Sequence, residues 1–225
     1  MLARALPVRP ADDGIVVPLE GTDVPDLVLR GHPAQLTEGF GRGNRTTPFL
    51  NGGVLWEREV WTRPLVPVYD GPRKVLGDVL LPAEEVPERF FIPPEQLPAW
   101  RYLKGAKREP RRARNGHVYF YTEGAIPFPD PLDQPSRTIL TGEGGATPSR
   151  FKHVVRTEDG RFRRLTPVEL ERLNGFPDGW TDTGMSDARR AFMMGNALVV
   201  GLVERVGREL ATGARASGWV RAAGV

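Results

Sequence analysis

Apolar residues follow two rhythms along this chain, short clustered runs before residue 100 and helical spacing after residue 160. Leu198, Val199, Leu202, Val203, Val206 and Leu210 recur at i, i+1, i+4, i+5, i+8 and i+12, with Glu204, Arg205, Arg208 and Glu209 on the other side. That stripe predicts an amphipathic helix packed on a core. Upstream, RRLTPVELERLNGFPD carries a complete set of helix punctuation. Thr166 suits the N-cap, Pro167 the first helical position, and Glu169 closes a capping box. Leu170 and Leu173 share a face, and Asn174-Gly175 supplies the stop. A further helix start at Ser186 runs through Ala188 to Met194.

Between about 46 and 100 the runs VLW, VWT, LVPVY and VLGDVLL are separated by Gly, Pro and charged residues, which predicts short strands and turns. FFIPPEQLPAW at 90 to 100 has three prolines and reads as an aromatic-bearing connection. Residues 1–45 have no sustained period and are expected to form an irregular arm. GFGRGN at 39 to 44 and GEGG at 142 to 145 have glycine spacing, but neither follows a buried strand and opens a helix, as a cofactor loop does. The fold class expected is α+β.

Composition narrows the chemistry. The 225 residues include 22 Pro and 26 Gly, which implies many turns. No segment has the length of an apolar membrane span or a signal peptide, so a cytoplasmic location is expected. Zero cysteines remove disulfides, thiolate metal sites and thiol nucleophiles, and the three histidines are far apart in sequence. Net charge is +3, but residues 1–100 hold 10 Lys+Arg against 14 Asp+Glu, whereas residues 101–225 hold 21 against 14. A basic half favours a polyanionic partner, because neutralised phosphates release counterions. The densest stretch, RYLKGAKREPRRAR, holds Arg101, Lys104, Lys107, Arg108, Arg111, Arg112 and Arg114 against Glu109. Charge runs are often only solvated surface; against nucleic acid, lysines and arginines grip phosphates and an arginine can reach a guanine edge. Tyr102, Tyr119, Phe120, Tyr121 and the five tryptophans are expected to be packing residues.

RRLTPVELERLNGFPDGW at 163 to 180, followed by MGNALVVGLVERVGREL at 194 to 210, resembles the last two conserved blocks of the DNA cytosine-5 methyltransferases. LGDVLL, VPERFFIPPEQL and PSRTILTGEGG are similar to the variable region before those blocks. The resemblance, over about 46–212, implies a small twisted β-rich target-recognition domain at 46–160. It implies conserved blocks with helices at 161–212 and a tail at 213–225. The last helix would pack on a Rossmann-like catalytic domain not encoded here. Arg164, Thr166, Pro167, Glu169 and Arg172 would organise the junction between the two domains. Asn196 and Ala197 match positions that meet S-adenosylmethionine, and Thr138-Ile139 matches a dipeptide close to the target bases. His117, Arg137, Arg150 and Lys152 are further candidates for the DNA face.

The family's cofactor loop, Pro-Cys block and ring-holding glutamate block are absent. Carbon 5 of cytosine accepts a methyl group only after a nucleophile adds to carbon 6. A thiolate is accessible near neutral pH, whereas a hydroxyl needs a dedicated base. The expectation is a C-terminal portion or subunit, inactive alone, that chooses the site on double-stranded DNA and shares S-adenosylmethionine with a cysteine-bearing catalytic chain. The alternatives are a non-catalytic DNA-binding module or the product of a truncated gene. An RNA substrate is a further possibility, against which the large recognition region argues.

Overall fold

The computed structural model describes residues 5–10, 25–32, 34, 38, 50–69 and 71–216, so GFGRGN and most of the expected N-terminal arm lie outside the described residues. The architecture is α+β, built from small antiparallel sheets and short helices. Two compact units divide the chain, one of residues 1–71 with 205–225 and one of residues 72–204.

The first unit contains strands β1 (Val8–Pro10), β2 (Leu27–Val28), β3 (Gly52–Trp56), β4 (Glu59–Arg63) and β5 (Leu65–Pro67). β2, β4 and β3 form one sheet in that order, and β1 pairs with β5. The runs VLW, VWT and LVPVY thus appear as strands. Close strand approach requires Gly53, since a Cβ there would lie 2.4 Å from the carbonyl oxygen of Trp61.

The second unit is organised by helices α1 (Leu97–Lys104), α2 (Pro167–Asn174) and α3 (Asp187–Asn196) and by two antiparallel ribbons. These are β6 (Lys107–Arg112) with β7 (Val118–Glu123), and β8 (Val154–Arg156) with β9 (Phe162–Arg164). Helix α4 (Val200–Ala216) begins in this unit and ends in the first. Successive strand residues point to opposite faces, so buried Val155 joins Leu76, Val79, Ile139, Leu165, Leu170, Ala191 and Met194. Its neighbour Val154 joins Ile92 and Trp100. The β8–β9 ribbon therefore separates two hydrophobic clusters and is covered on both sides.

Helix α2 forms as its sequence specifies. Thr166 Oγ1 accepts from the Glu169 N–H, the Glu169 carboxylate accepts from the Thr166 N–H, and Gly175 turns left-handed at φ 80°. Ser186 likewise caps α3. Two expectations fail in the second unit. VLGDVLL is a 3-10 turn over Leu76–Val79, not a strand, because the Asp78 carboxylate accepts from the Val75 N–H and folds the segment on itself. FFIPPEQLPAW passes through 3-10 turns into α1, because Pro98 falls in the first helical turn, where its missing N–H has no helical partner to lose. Of the apolar stripe, Leu198 and Val199 just before α4 and Leu202, Val203 and Leu210 within it are exposed rather than packed.

Buried carboxylates tie the second unit together. Fully buried Glu169 accepts from Arg163 Nη2 (2.7 Å) and Nη1 (2.9 Å), from the Leu81 N–H (2.8 Å) and from the Thr166 N–H (2.7 Å). Glu171, also fully buried, accepts from the Thr181 hydroxyl, from the Gly179 and Thr181 N–H groups and from Arg190 Nη2. Asp130 accepts from Arg137 Nε (2.6 Å) and the Val154 N–H (2.8 Å), with Lys104 Nζ 3.7 Å away. Burial pushes the Asp130 carboxyl upward, but Arg137, the Val154 N–H and Lys104 outweigh it and hold it below its ordinary 3.8.

Removing Glu169 strands the buried Arg163 guanidinium and two backbone donors. Glu169→Ala is expected to cost about 3–5 kcal/mol, measured as the difference in urea unfolding free energy of the full chain. For Asp130 the folded value lies below the unfolded one, so its contribution is complete above pH 3.8 and is lost as pH falls through the folded value. The stability gap between the wild type and Asp130→Asn should therefore be wide at pH 7 and narrow below pH 3.8; a gap unchanged between pH 7 and pH 2.5 would contradict this.

Candidate nucleic-acid interface

The basic stretch does not form one surface; the fold sorts it. Arg101 and Lys104 lie on α1, which ends at Gly105, whose N–H donates to the Arg101 carbonyl. The chain then enters β6, turns through Ala113 to His117 and returns as β7. In the turn the Ala113 N–H donates to the His117 carbonyl (2.8 Å), and Gly116 takes a left-handed φ of 86°. Lys107 faces Glu123 across the ribbon, Arg108 Thr122, Glu109 Tyr121, Pro110 Phe120, Arg111 Tyr119 and Arg112 Val118.

Strand alternation gives this ribbon two unlike faces. One carries Lys107, Glu109, Arg111, Tyr119, Tyr121 and Glu123 and is braced throughout. Lys107 pairs with Glu123 (3.3 Å) and Arg111 with Glu109 (3.7 Å), while the Tyr102 and Tyr121 hydroxyls donate to Glu109 and Glu123. The Tyr121 hydroxyl, Lys107 and Arg150 hold the Glu123 carboxyl below its usual range, although burial opposes them. The Arg111 guanidinium lies 3.6 Å from the Tyr121 ring centroid.

The other face carries Arg108, Pro110, Arg112, Val118, Phe120 and Thr122, with no carboxylate. Phe120 is 57% and Val118 52% exposed, and Arg108 lies over the Phe120 ring at 4.4 Å. Arg101, Arg108, Arg112 and Arg114 have no carboxylate partner among the described residues.

Several expected DNA contacts instead turn inward. Lys104 is buried, donates to the Lys152 carbonyl (2.6 Å), and has its ammonium pKa pushed down to about 8 by burial. It is an anchor for the end of α1 and is not available to a phosphate. Lys152 is buried and donates to the Gly145 and Thr147 carbonyls. Arg150 donates to the Gly124 carbonyl (2.5 Å) and so fastens the root of the ribbon. Arg137 is committed to Asp130 and to the Phe151 carbonyl. Ile139 is in the core, which leaves its neighbour Thr138 exposed at the surface. His117 is exposed in the ribbon turn.

The aromatic residues depart from expectation in the opposite direction. Tyr119 and Phe120 are exposed and Tyr121 is half-buried, because a two-stranded ribbon buries neither face by itself, and Tyr102 on α1 is exposed as well. Trp100 is fully buried, but Trp56 and Trp180 are exposed. Val118, Phe120 and Thr122 were not among the predicted site residues. VYFYTE is apolar or aromatic at both parities, so no alternation marks the free face, and only pairing with the charged strand reveals it.

GEGG turns its one charged side chain inward while Gly142 and Gly145 stay exposed. Glu143 is buried, accepts from the His153 N–H (2.6 Å) and faces His153 Nδ1 at 3.1 Å, which excludes a phosphate there. Arg164 donates to the Gly145 and Arg89 carbonyls, and Arg172 holds Asp178 with two nitrogens while donating to the Val79 carbonyl. With Thr166, Pro167 and Glu169, they join α2 to its surroundings. Asn196 ends α3, is exposed, and donates from Nδ2 to the Phe192 carbonyl (3.0 Å), with no hydrogen bond to its side-chain oxygen among the described residues. Ala197 follows it in extended backbone.

These short helices and the ribbon before them coincide with a known family. The chain is 38% identical over 167 residues to the type II methyltransferase M.Sau3AI of Staphylococcus aureus, a match that covers 74% of this chain and 39% of that protein. It thus spans about two fifths of the length of that relative. Residues 95–212, more than half of the chain, match the family model of the C-5 cytosine-specific DNA methylases, and the chain belongs to that family.

Proposed function

We propose that this chain is the DNA target-recognition and C-terminal part of a cytosine-5 methyltransferase, acting on double-stranded DNA. The observation that carries the reading is the β6–β7 ribbon, one face of which presents arginines with no carboxylate partner among the described residues, in a chain of this family. Arg101, Arg112 and Arg114 serve as phosphate contacts, and the exposed Thr138 lies beside the target bases. The braced face holds the ribbon in one shape, so binding does not have to order it.

The group implied by the family, S-adenosylmethionine, supplies the methyl. Asn196 and Ala197 fit one edge of its site: the exposed Asn196 side-chain oxygen and the carbonyl end of α3 are acceptors suited to a cationic ligand with amino and hydroxyl groups. The chain offers no thiolate to add to carbon 6, because it has no cysteine. The cytosine, flipped from the duplex, therefore meets a nucleophile from outside these 225 residues, on a catalytic partner that carries the cofactor loop. The missing thiol equally favours a second reading, a DNA-binding module that performs no chemistry. A restriction-modification setting belongs to the same proposal, and similarity to a type II methyltransferase supports it.

Methyl transfer to duplex DNA should be absent with this chain alone. It should appear when a polypeptide bearing the cofactor loop and the Pro-Cys block is added, and its continued absence favours the DNA-binding module. Duplex affinity of the full chain should fall steeply with salt. The triple variant Arg101→Ala, Arg112→Ala, Arg114→Ala should shorten the slope of log K against log salt by about 3, roughly one per phosphate contact. An unaltered slope would remove the ribbon from the interface.

A further inference from the structure

The proposed function leaves open how the ribbon distinguishes one DNA sequence from another, and the inequality of its two faces bears on that. A two-stranded antiparallel ribbon has the cross-section the major groove admits. Only one face of this ribbon suits a channel walled by phosphates. The braced face brings Glu109 and Glu123 with it, whereas the other brings Arg108 and Arg112 and no acid. Phe120 sits exposed between the levels of those arginines, and exposed Val118 lies directly opposite Arg112. A second copy of this chain is a poor occupant, because it would set the same arginines, on a protein of net charge +3, against themselves.

We infer that the Arg108–Phe120 face is the base-reading element of the ribbon, with Arg108 donating to O6 and N7 of a guanine and Phe120 lying against the 5-methyl group of a thymine. Of the two arginines on the acid-free face, Arg108 is the one with a ring beneath it among the described residues. Its guanidinium is 4.4 Å from the Phe120 centroid, so a planar, five-donor fork is partly oriented before binding and loses less freedom on contact. Arg112 and Arg114 flank the turn, one end of the ribbon, where phosphates are met. Phe120 is directly opposite Pro110, and the two form an apolar strip suited to a methyl group. Thymine is the major-groove base that offers one.

This inference rests on the proposed DNA contact, and the experiment separates the two. The full chain is used to select duplexes from a randomised library, and the winning duplex is titrated against unselected DNA at several salt concentrations. Arg108→Lys keeps the charge but not the fork. It should lower the preference for guanine at one position by roughly 5- to 150-fold, with the salt slope and the urea midpoint unchanged. Phe120→Ala should abolish the penalty that the wild type shows when a single thymine is replaced by deoxyuridine. A preference that survives Arg108→Lys, or an equal loss on selected and unselected duplex, overturns the inference. So does a wild type that binds duplex in a salt-dependent way and selects no sequence, which leaves the proposed DNA contact standing. A wild type that binds no duplex overturns both.

Discussion

The Glu169 carboxylate is where three segments of the second unit meet: the start of α2, strand β9 and the backbone at Leu81. A buried charge without partners is too costly to persist, so these segments assemble together or not at all. Glu171, Asp130 and Glu143 repeat the device. Each accepts from at least one backbone N–H in a place where a wider sheet would have offered a neighbouring strand. Sheets of two or three strands, as among the described residues, leave many backbone donors without a strand to pair with, and buried donors are almost always paired. Here acidic side chains substitute for absent strands, and Arg163, Arg190 and Arg137 balance most of their charge.

That economy accounts for the fate of the basic residues. Some cations of the basic half serve as counterparts to buried acids or as donors to loop carbonyls: Lys104, Arg137, Lys152, Arg163 and Arg164 are all of this kind. The ribbon lies beyond the reach of those acids except on one face. Its other arginines keep their charge for solvent or for a ligand.

Helices α2 and α3 were legible because their signals are local: Thr166, Pro167, Glu169, Gly175 and Ser186 each act on backbone within four residues. The conserved blocks pointed to the family for the same reason, as continuous runs. What escaped depends on partners distant in sequence. Nothing within RYLKGAK says that Lys104 will meet Asp130 and the Lys152 carbonyl, 26 and 48 residues away. Nothing within VYFYTE distinguishes Tyr121, which bonds Glu123, from Phe120, which bonds no acid. VLGDVLL has strand-forming composition, and one hydrogen bond from the Val75 N–H to Asp78 makes it a turn. The apolar stripe of α4 was visible, but its exposure was not, because periodicity reports that a face exists and not what covers it.

The contrast between the ribbon's faces also bears on how such a protein changes over generations. Residues 107, 109, 111, 121 and 123 hold one another, so an exchange at any of them disturbs the shape of the ribbon. Residues 110, 112, 118 and 122 carry no such obligation, and 108 and 120 are bound only to each other. Mutation there leaves the scaffold intact while altering what the ribbon touches. Robustness and novelty are thus assigned to opposite sides of the same twelve paired residues, and recognition can diverge without the fold being renegotiated.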